Sequence, residues 1–251
     1  MSFDLVIDAL GIPPSALVEQ RVPKKLLLEH GAPTAADKRQ IQDGIEEIVW
    51  VAALKPTNIG VPASQDAVRE YLEIAVLTVE LRPAAKPARL IELFHRAIPY
   101  PLILATEQDG AVSLSLAHKR WSQGETGKVV IEDVRLVALN QNAPSNQENA
   151  FLASLAVSRL PVGDLFVLYD GILGHLAALE ASRITGAFAP PEFGEGATAL
   201  QESLDRHGKL LREIDLLRAK AVKERQLNRR VELNVEIQRL QAELAAIQTE
   251  L

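Results

Sequence analysis

Three groups of residues have types and spacings that chemistry could use. His118, Lys119, Arg120 and Trp121 form one run of three potentially cationic side chains and an indole, a combination that can hold phosphates and stack a base. Its plainer reading is a strand end made soluble by charge, with Trp121 packed on a sheet. Glu73 and Glu80 stand on one apolar stretch, and Glu80-Leu81-Arg82 has the outline of a nuclease strand whose carboxylates hold Mg2+. That outline wants a lysine two residues after the acid, and the guanidinium of Arg82 is a poor substitute for a compact, tunable ammonium. A solvated strand end with a local charge pair fits these residues better. Residues 124–128, Gly-Glu-Thr-Gly-Lys, look like the end of a phosphate-binding loop, but Ser122 occupies the place of the first glycine and Val129 that of the Ser or Thr. They read as a Gly-rich connection.

Composition narrows the chemistry further. With no cysteine there is no disulfide, Cys-ligated zinc, iron–sulfur cluster or thiol nucleophile. The histidines, His30, His95, His118, His175 and His207, are scattered, with no pair at the i, i+4 spacing of a zinc helix, and no Gly-x-Ser-x-Gly elbow occurs. The sequence therefore names no catalytic residue and calls for no metal or cofactor. Asp4 and Asp8 stand where a signal peptide is basic, and the apolar runs fall short of the ~18 residues of a membrane span. A cytoplasmic protein without membrane contact is the expectation.

The elements that must position these residues fall into two regions. Residues 1–197 carry 17 basic and 24 acidic side chains, and residues 198–251 carry 10 and 9. Between them, residues 186–197 are rich in Gly, Pro and Ala, which interrupt helix and strand alike. This predicts a head over 1–185, a linker over 186–197 and a tail over 198–251.

In the head, Ile41, Ile45, Ile48, Val49 and Ala52 follow a helical stripe, predicting one helix over 37–54 closed by Lys55-Pro56. Residues 71–81 are apolar on both faces and predict a central strand. Pro87 opens a helix through 98, and residues 102–106 and 111–120 read as a hairpin about the turn 107–110. A further strand at 128–139 and helices at 146–159 and 164–183 complete the head. The fold class is α+β: a small, mostly antiparallel sheet with flanking helices on one side, followed by a long C-terminal coiled-coil-like helix.

That tail has no proline and one glycine, Gly208, over 54 residues, and would be ~80 Å long as a single helix. Leu210, Ile214, Leu217 and Ala221, then Leu233, Ile237, Leu240, Leu244, Ile247 and Leu251, step in threes and fours as a packing seam. Between them, residues 218–230 hold six basic side chains and one acidic. Glu224 and Asn228 fall where the seam would continue, so the centre should meet a charged surface while the ends pack.

Residues 22–63, the runs 94–104 (Phe-His-Arg-Ala-Ile-Pro-Tyr-Pro-Leu-Ile-Leu) and 116–121 (Leu-Ala-His-Lys-Arg-Trp), and residues 223–244 occur in an order and spacing that resembles the bacterial domain-of-unknown-function family DUF4391 over nearly the whole chain. The most specific part is 226–234, Gln-Leu-Asn-Arg-Arg-Val-Glu-Leu-Asn, where Leu227 replaces a usual aromatic. The resemblance implies a setting beside helicases and DNA methyltransferases of restriction or phage-defence type, and carries over no catalytic residue.

The expectation that joins these readings is a non-catalytic accessory or scaffold subunit of a DNA-linked complex. It would dock a helicase or DNA methyltransferase subunit, or a second copy as a homodimer, through the C-terminal helix. The alternatives are a nucleic-acid-binding module and, behind it, a Mg-dependent nuclease using Glu73 or Glu80. Binding to partner or nucleic acid falls to Lys119, Arg120, Trp121, Lys223, Arg225, Asn228, Arg229 and Arg230. Helix packing falls to Leu233, Ile237, Leu240, Leu244 and Ile247.

Overall fold

The computed structural model describes residues 3–125, 129–191 and 194–251. In chain order these form α1 (Asp4–Leu10), β1 (Leu17–Arg21), α2 (Lys24–Gly31), α3 (Ala35–Gly44), β2 (Ile45–Leu54), α4 (Pro56–Ile59), β3 (Ser64–Gln65), β4 (Glu70–Tyr71) and β5 (Ile74–Leu81). Then come α5 (Pro87–Ala97), β6 (Leu102–Gln108), β7 (Ala111–Leu116), β8 (Lys119–Trp121), β9 (Val129–Ile131), β10 (Arg135–Leu139), α6 (Asn146–Ser154), α7 (Leu165–Thr185), α8 (Glu195–Lys223) and α9 (Leu227–Gln248).

The fold is α+β. A six-stranded sheet runs β1-β2-β5-β6-β7-β10, and every neighbouring pair is antiparallel except β5 with β6, which the crossover helix α5 joins in parallel. Two small ribbons, β3-β4 and β8-β9, stand apart from it.

Helices cover both faces of the sheet rather than one. On one face Ile45, Ile48, Leu77, Val79, Leu102 and Leu104 pack against Leu27 of α2, Ile41 of α3 and Leu90, Leu93 and Phe94 of α5. On the other, Ala52, Leu54, Ile74, Val76, Ile103, Leu114 and Val137 meet Val6 and Leu10 of α1, Phe151 of α6 and the length of α7. Residues of β5 and β6 are apolar on alternate sides because both sides are covered.

α7 is apolar all round for the same reason, since it lies between the sheet and the tail. It is long and apolar enough to cross a bilayer by length and composition, and 78% of its most apolar window is buried inside the protein.

The helix predicted over 37–54 divides at Gly44: α3 ends there and β2 begins. Two irregularities in register, between Ile45 and Glu47 and between Trp50 and Ala52, explain the misreading. Each bulge shifts the period-2 alternation of a strand by one residue, leaving apolar residues at helix-like intervals.

The strand expected over 111–120 also breaks after Leu116, turning β8 away from the main sheet. That expected over 128–139 divides into β9 and β10.

The tail is not one helix. Residues 224–226 leave the helical conformation: Glu224 is extended, its carboxylate accepts the Gln226 backbone N–H at 2.8 Å, and Gln226 opens α9. α8 and α9 then fold back as a helical hairpin, joining Leu210, Ile214 and Ala221 to Ile237, Leu240 and Ile247 in one apolar cluster, with Leu217, Leu233 and Leu244 packed against it. Leu204 at the hairpin base packs on Ala177 and Ala181 of α7, and Leu251 returns to the same cluster.

Candidate functional site

The two head runs singled out in the sequence, 94–104 and 116–121, meet around Lys119. α5 delivers the first, ending where Ile98 takes an extended conformation and Pro99 and Pro101 force the chain away. The turn of chain at Ala117 and His118 delivers the second. The Lys119 side chain points inward, not toward solvent, and its Nζ donates to the carbonyl oxygens of Ile98 and Tyr100. The residue is 3% exposed, and burial pushes its amine down to about 7.

His95 lies nearby on α5, fully buried, with Nε2 3.1 Å from Ser115 Oγ and no hydrogen-bond partner for Nδ1 among the described residues. Burial first, and the Lys119 charge second, push His95 down to about 3, so it stands as a neutral imidazole.

Adjacent to this pair, a chain of polar contacts crosses three elements. The Tyr71 hydroxyl lies 2.6 Å from His118 Nδ1, and His118 Nε2 lies 3.1 Å from Asp170 Oδ1 on α7. Burial raises the Tyr71 phenol, so it keeps its proton. The backbone N–H of Lys119 approaches the same Tyr71 oxygen at 3.4 Å.

The rings of Phe166 and Tyr169 meet Tyr71 edge-on, with centroids 5.3 and 5.7 Å away. Arg69 lies 5.3 Å over Phe166 while its guanidinium grips Glu132 at 3.0 and 3.2 Å. A phenol held protonated in such packing is neither base nor nucleophile at neutral pH; the Tyr71–His118–Asp170 chain locks the turn before β8 to α7.

The structure brings Lys119, Arg120 and Trp121 to one cavity of about 260 Å3, shared with Glu70, Leu72, Pro99, Tyr100 and Val129. They do not make a basic patch. Lys119 is turned to the α5 carbonyls, and Arg120 faces Glu132 at 3.9 Å.

Glu73 and Glu80 lie apart. Glu73 precedes β5 and pairs with Lys55 at 2.9 Å, whereas Glu80 lies at the far end of the strand, seven residues and ~23 Å along. No group of three or more His, Asp or Glu side chains among the described residues is placed to hold a metal ion. Of the loop-like run 124–128, residues 126–128 lie outside the described residues.

The second assembly is the turn of the tail hairpin. Lys223, Arg225, Asn228, Arg229 and Arg230 surround it, together with Lys220. Arg218 pairs with Asp215 at 3.4 Å, but no ion pair within 4 Å engages Lys220, Lys223, Arg225, Arg229 or Arg230 among the described residues. Arg229 and Arg230 sit in the first turn of α9, which holds no acidic residue and where the helix dipole already contributes positive potential, while Glu224, Glu232 and Glu236 line the hollow beside Lys220, Lys223 and Arg229. Val222, Leu227 and Val231 are exposed beside them, at 87%, 62% and 53%.

Leu233, Ile237, Leu240, Leu244 and Ile247 face the other way, into the hairpin's own seam. What the tail offers outward is thus the mixed basic and apolar turn. The specific 226–234 run covers that turn and the start of α9.

The chain belongs to the DUF4391 family. The family, described as a domain of unknown function, matches residues 10–244, which takes in β1 to β10, both head runs and the hairpin through most of α9. Nothing among curated proteins or solved structures matches the chain. Of the DUF4391 segments quoted from the sequence, 94–104 and 116–121 meet at the Lys119 junction, 223–244 makes the hairpin turn and most of α9, and 22–63 forms α2, α3, β2 and α4.

Reasoning from sequence missed Tyr71, Tyr169 and Asp170 as partners of the Lys119 junction. Tyr169 Oη lies 2.9 Å from the Leu102 carbonyl and 3.0 Å from the Ala117 backbone N–H, tying β6 to the turn before β8. Within an all-apolar helical stretch, the one usable signal was the adjacent pair Tyr169-Asp170.

Proposed function

We propose that the chain is a non-catalytic accessory subunit of a DNA-linked complex of restriction or phage-defence type. It works in the cytoplasm and docks a helicase or DNA methyltransferase partner through the turn of its helical hairpin. The observation that supports this is the turn itself: Lys220, Lys223, Arg225, Arg229 and Arg230, with no ion pair within 4 Å among the described residues, beside exposed Val222, Leu227 and Val231, in a chain of net charge −6.

The hairpin leaves the head near Leu204 and carries the turn ~28 Å outward, at 1.5 Å per residue. Cations at the rim of an interface steer and orient an acidic partner, and desolvated apolar side chains at its centre hold it. Because the seam closes on itself, the reading no longer needs a second copy of the tail.

The same cations also support a second reading, direct binding of nucleic acid. Bare phosphates have no use for Val222 and Leu227, which favours a protein surface. Co-purification from the native operon tests the proposal: a stoichiometric complex with a neighbouring helicase or methyltransferase is expected, and Arg229→Glu with Arg230→Glu should dissolve it without unfolding the hairpin. A complex indifferent to that double variant removes the proposal. DNA binding by the isolated chain, with log affinity falling by about 0.9 per phosphate contact against log salt, selects the second reading instead.

A further inference from the structure

The apolar packing between α2, α5 and the sheet is not continuous. α2 meets α5 at its last turn, where Gly31 leaves no room for a side chain: a Cβ there would stand 2.6 Å from that of Ala97. Toward the start of α2 the two helices part, and Pro23, Leu26 and Leu27 line, with Ala97 and Ile98, a cavity of about 350 Å3. It reaches down to the sheet, because Ile48 of β2, Ala75 and Leu77 of β5 and Phe94 of α5 also line it and are buried residues of the core. Protein interiors hold few voids larger than a water molecule, so a hollow of this size against the core is a place for a second molecule.

The lining selects the chemistry of that molecule. Trp50 of β2, Phe94 of α5 and Tyr100 beyond it bring aromatic side chains to the cavity from separate parts of the fold, and such side chains pack well, face or edge, on another ring. The indole N–H of Trp50 is already engaged with the Ala52 carbonyl at 2.8 Å, and the Arg21 guanidinium with Glu47. A charged ligand would therefore find no uncommitted counter-charge within, and an unpaired buried charge is costly. Gln20 and Tyr100, both exposed, border the mouth and supply neutral polar groups for a hydroxyl or amide. A cavity of about 150 Å3 holds benzene, and in proportion this one holds about ten to fourteen non-hydrogen atoms.

We propose that this cavity is a binding site for a neutral aromatic small molecule, held without covalent chemistry between α2, α5 and the sheet. Its rings lie against Trp50, Leu77 and Phe94, and its polar end faces the mouth. Leu26, which is 50% exposed at the mouth, closes over it and loses contact with water. A flat protein surface laid across the mouth would leave the buried depth empty, whereas a compact ring system fills it. The site lies on the face of the sheet opposite α7 and is independent of the docking proposed for the hairpin.

Titration of the full chain with 2-naphthol, a neutral bicyclic compound of this size, tests it by calorimetry and by quenching of Trp50 in Trp121→Phe, where Trp50 is the remaining tryptophan. The expected result is saturable binding of one molecule per chain, with a Kd of about 100 μM or tighter. Leu26→Asp, at an exposed position, should weaken binding by about tenfold or more while the melting temperature holds. Ala75→Leu, which fills the depth of the cavity, should abolish binding; if that variant fails to fold, Leu26→Asp decides alone. Absence of saturable binding overturns the proposal, as does binding that Leu26→Asp leaves unchanged. Binding lost in Leu227→Asp instead would put the probe on the hairpin turn and overturn it as well. Sedimentation adds the last outcome: a dimer that Leu26→Asp dissolves would make the hollow a contact between copies, which also overturns the proposal.

Discussion

Arg135 Nη2, on the edge strand β10, lies 2.7 Å from Asp205 Oδ1 on α8, and the same nitrogen donates to the Gln201 carbonyl at 3.2 Å. Its other terminal nitrogen stands 3.8 Å from Glu180 of α7. One guanidinium, 12% exposed, thus fastens the base of the hairpin to the sheet edge and to the helix beneath. The carboxylate of Asp205 is 42% exposed, so solvent screens much of the attraction. Arg135→Ala, Asp205→Ala and the double variant should give a coupling of about 0.5–1 kcal/mol in chemical denaturation. Additive single effects would show that the pair is an incidental contact.

Truncation after Gly186 tests whether the tail is part of the head's core. α8 covers Ala177 and Ala181, small residues whose exposure removes little apolar area, while both faces of the sheet keep their helices. The truncated head should melt cooperatively, less stable than the full chain by about 1–3 kcal/mol at ~25 cal/mol per Å2 of newly exposed apolar surface. A molten or insoluble product would move the domain boundary into the tail.

Leu240 is 2% exposed and Leu244 packs against the same cluster, within the chain's own hairpin. Leu240→Asp with Leu244→Asp places two carboxylates in that seam, which should open the hairpin by more than about 3 kcal/mol. Lower helicity by circular dichroism and protease cleavage within α8 and α9 are the expected signs, with the head's melting retained. Had the seam been a contact between copies, the same substitutions would instead dissolve an oligomer and leave the monomer's helicity intact. Sedimentation beside the proteolysis separates the outcomes.

Much of the architecture is legible in the residues. The apolar run in β5, Pro87 at the start of α5 and the turn at Asp109-Gly110, both at positive φ, each have a local cause. β2 defeats the same reasoning because its two bulges rewrite its periodicity, and only pairing with β5 reveals it as a strand. The hairpin turn is equally hidden. Glu224-Arg225-Gln226 contains no glycine or proline, and the polar residues that interrupt the seam could have marked either a charged contact or a reversal of the chain.

Lys119 illustrates the limit for the candidate sites. A lysine between a histidine and an arginine reads as surface charge. Its burial depends on carbonyls freed by the end of α5, some twenty residues away. The hairpin turn could be read as basic, but its exposed apolar neighbours could be recognised only once the seam was seen to exclude them.

Three groups make stability depend on pH in one direction. His95 titrates at about 3 in the folded protein against a usual 6.5, so between those values the unfolded chain binds more protons and acidification favours unfolding. Its contribution is complete above pH 6.5 and lost as pH falls through 3, an effect of up to a few kcal/mol for a fully buried ring. Asp37, held down to about 2 by the Arg89 guanidinium at 2.8 Å and by Thr34, adds a loss between about pH 4 and 2. Lys119, pushed down to about 7 from 10.5, extends the trend upward: between those values the unfolded chain again binds more protons, so stability should rise as pH rises. The melting temperature should therefore climb from pH 3.5 to 6.5 and again from 7 to 9. His95→Gln should flatten the first climb, and Lys119→Met the second, whatever each variant does to stability at pH 7. A flat melting temperature from pH 3.5 to 6.5 in the unmodified chain would show that His95 can charge in place, and that its burial is looser than its packing beside Ser115 implies.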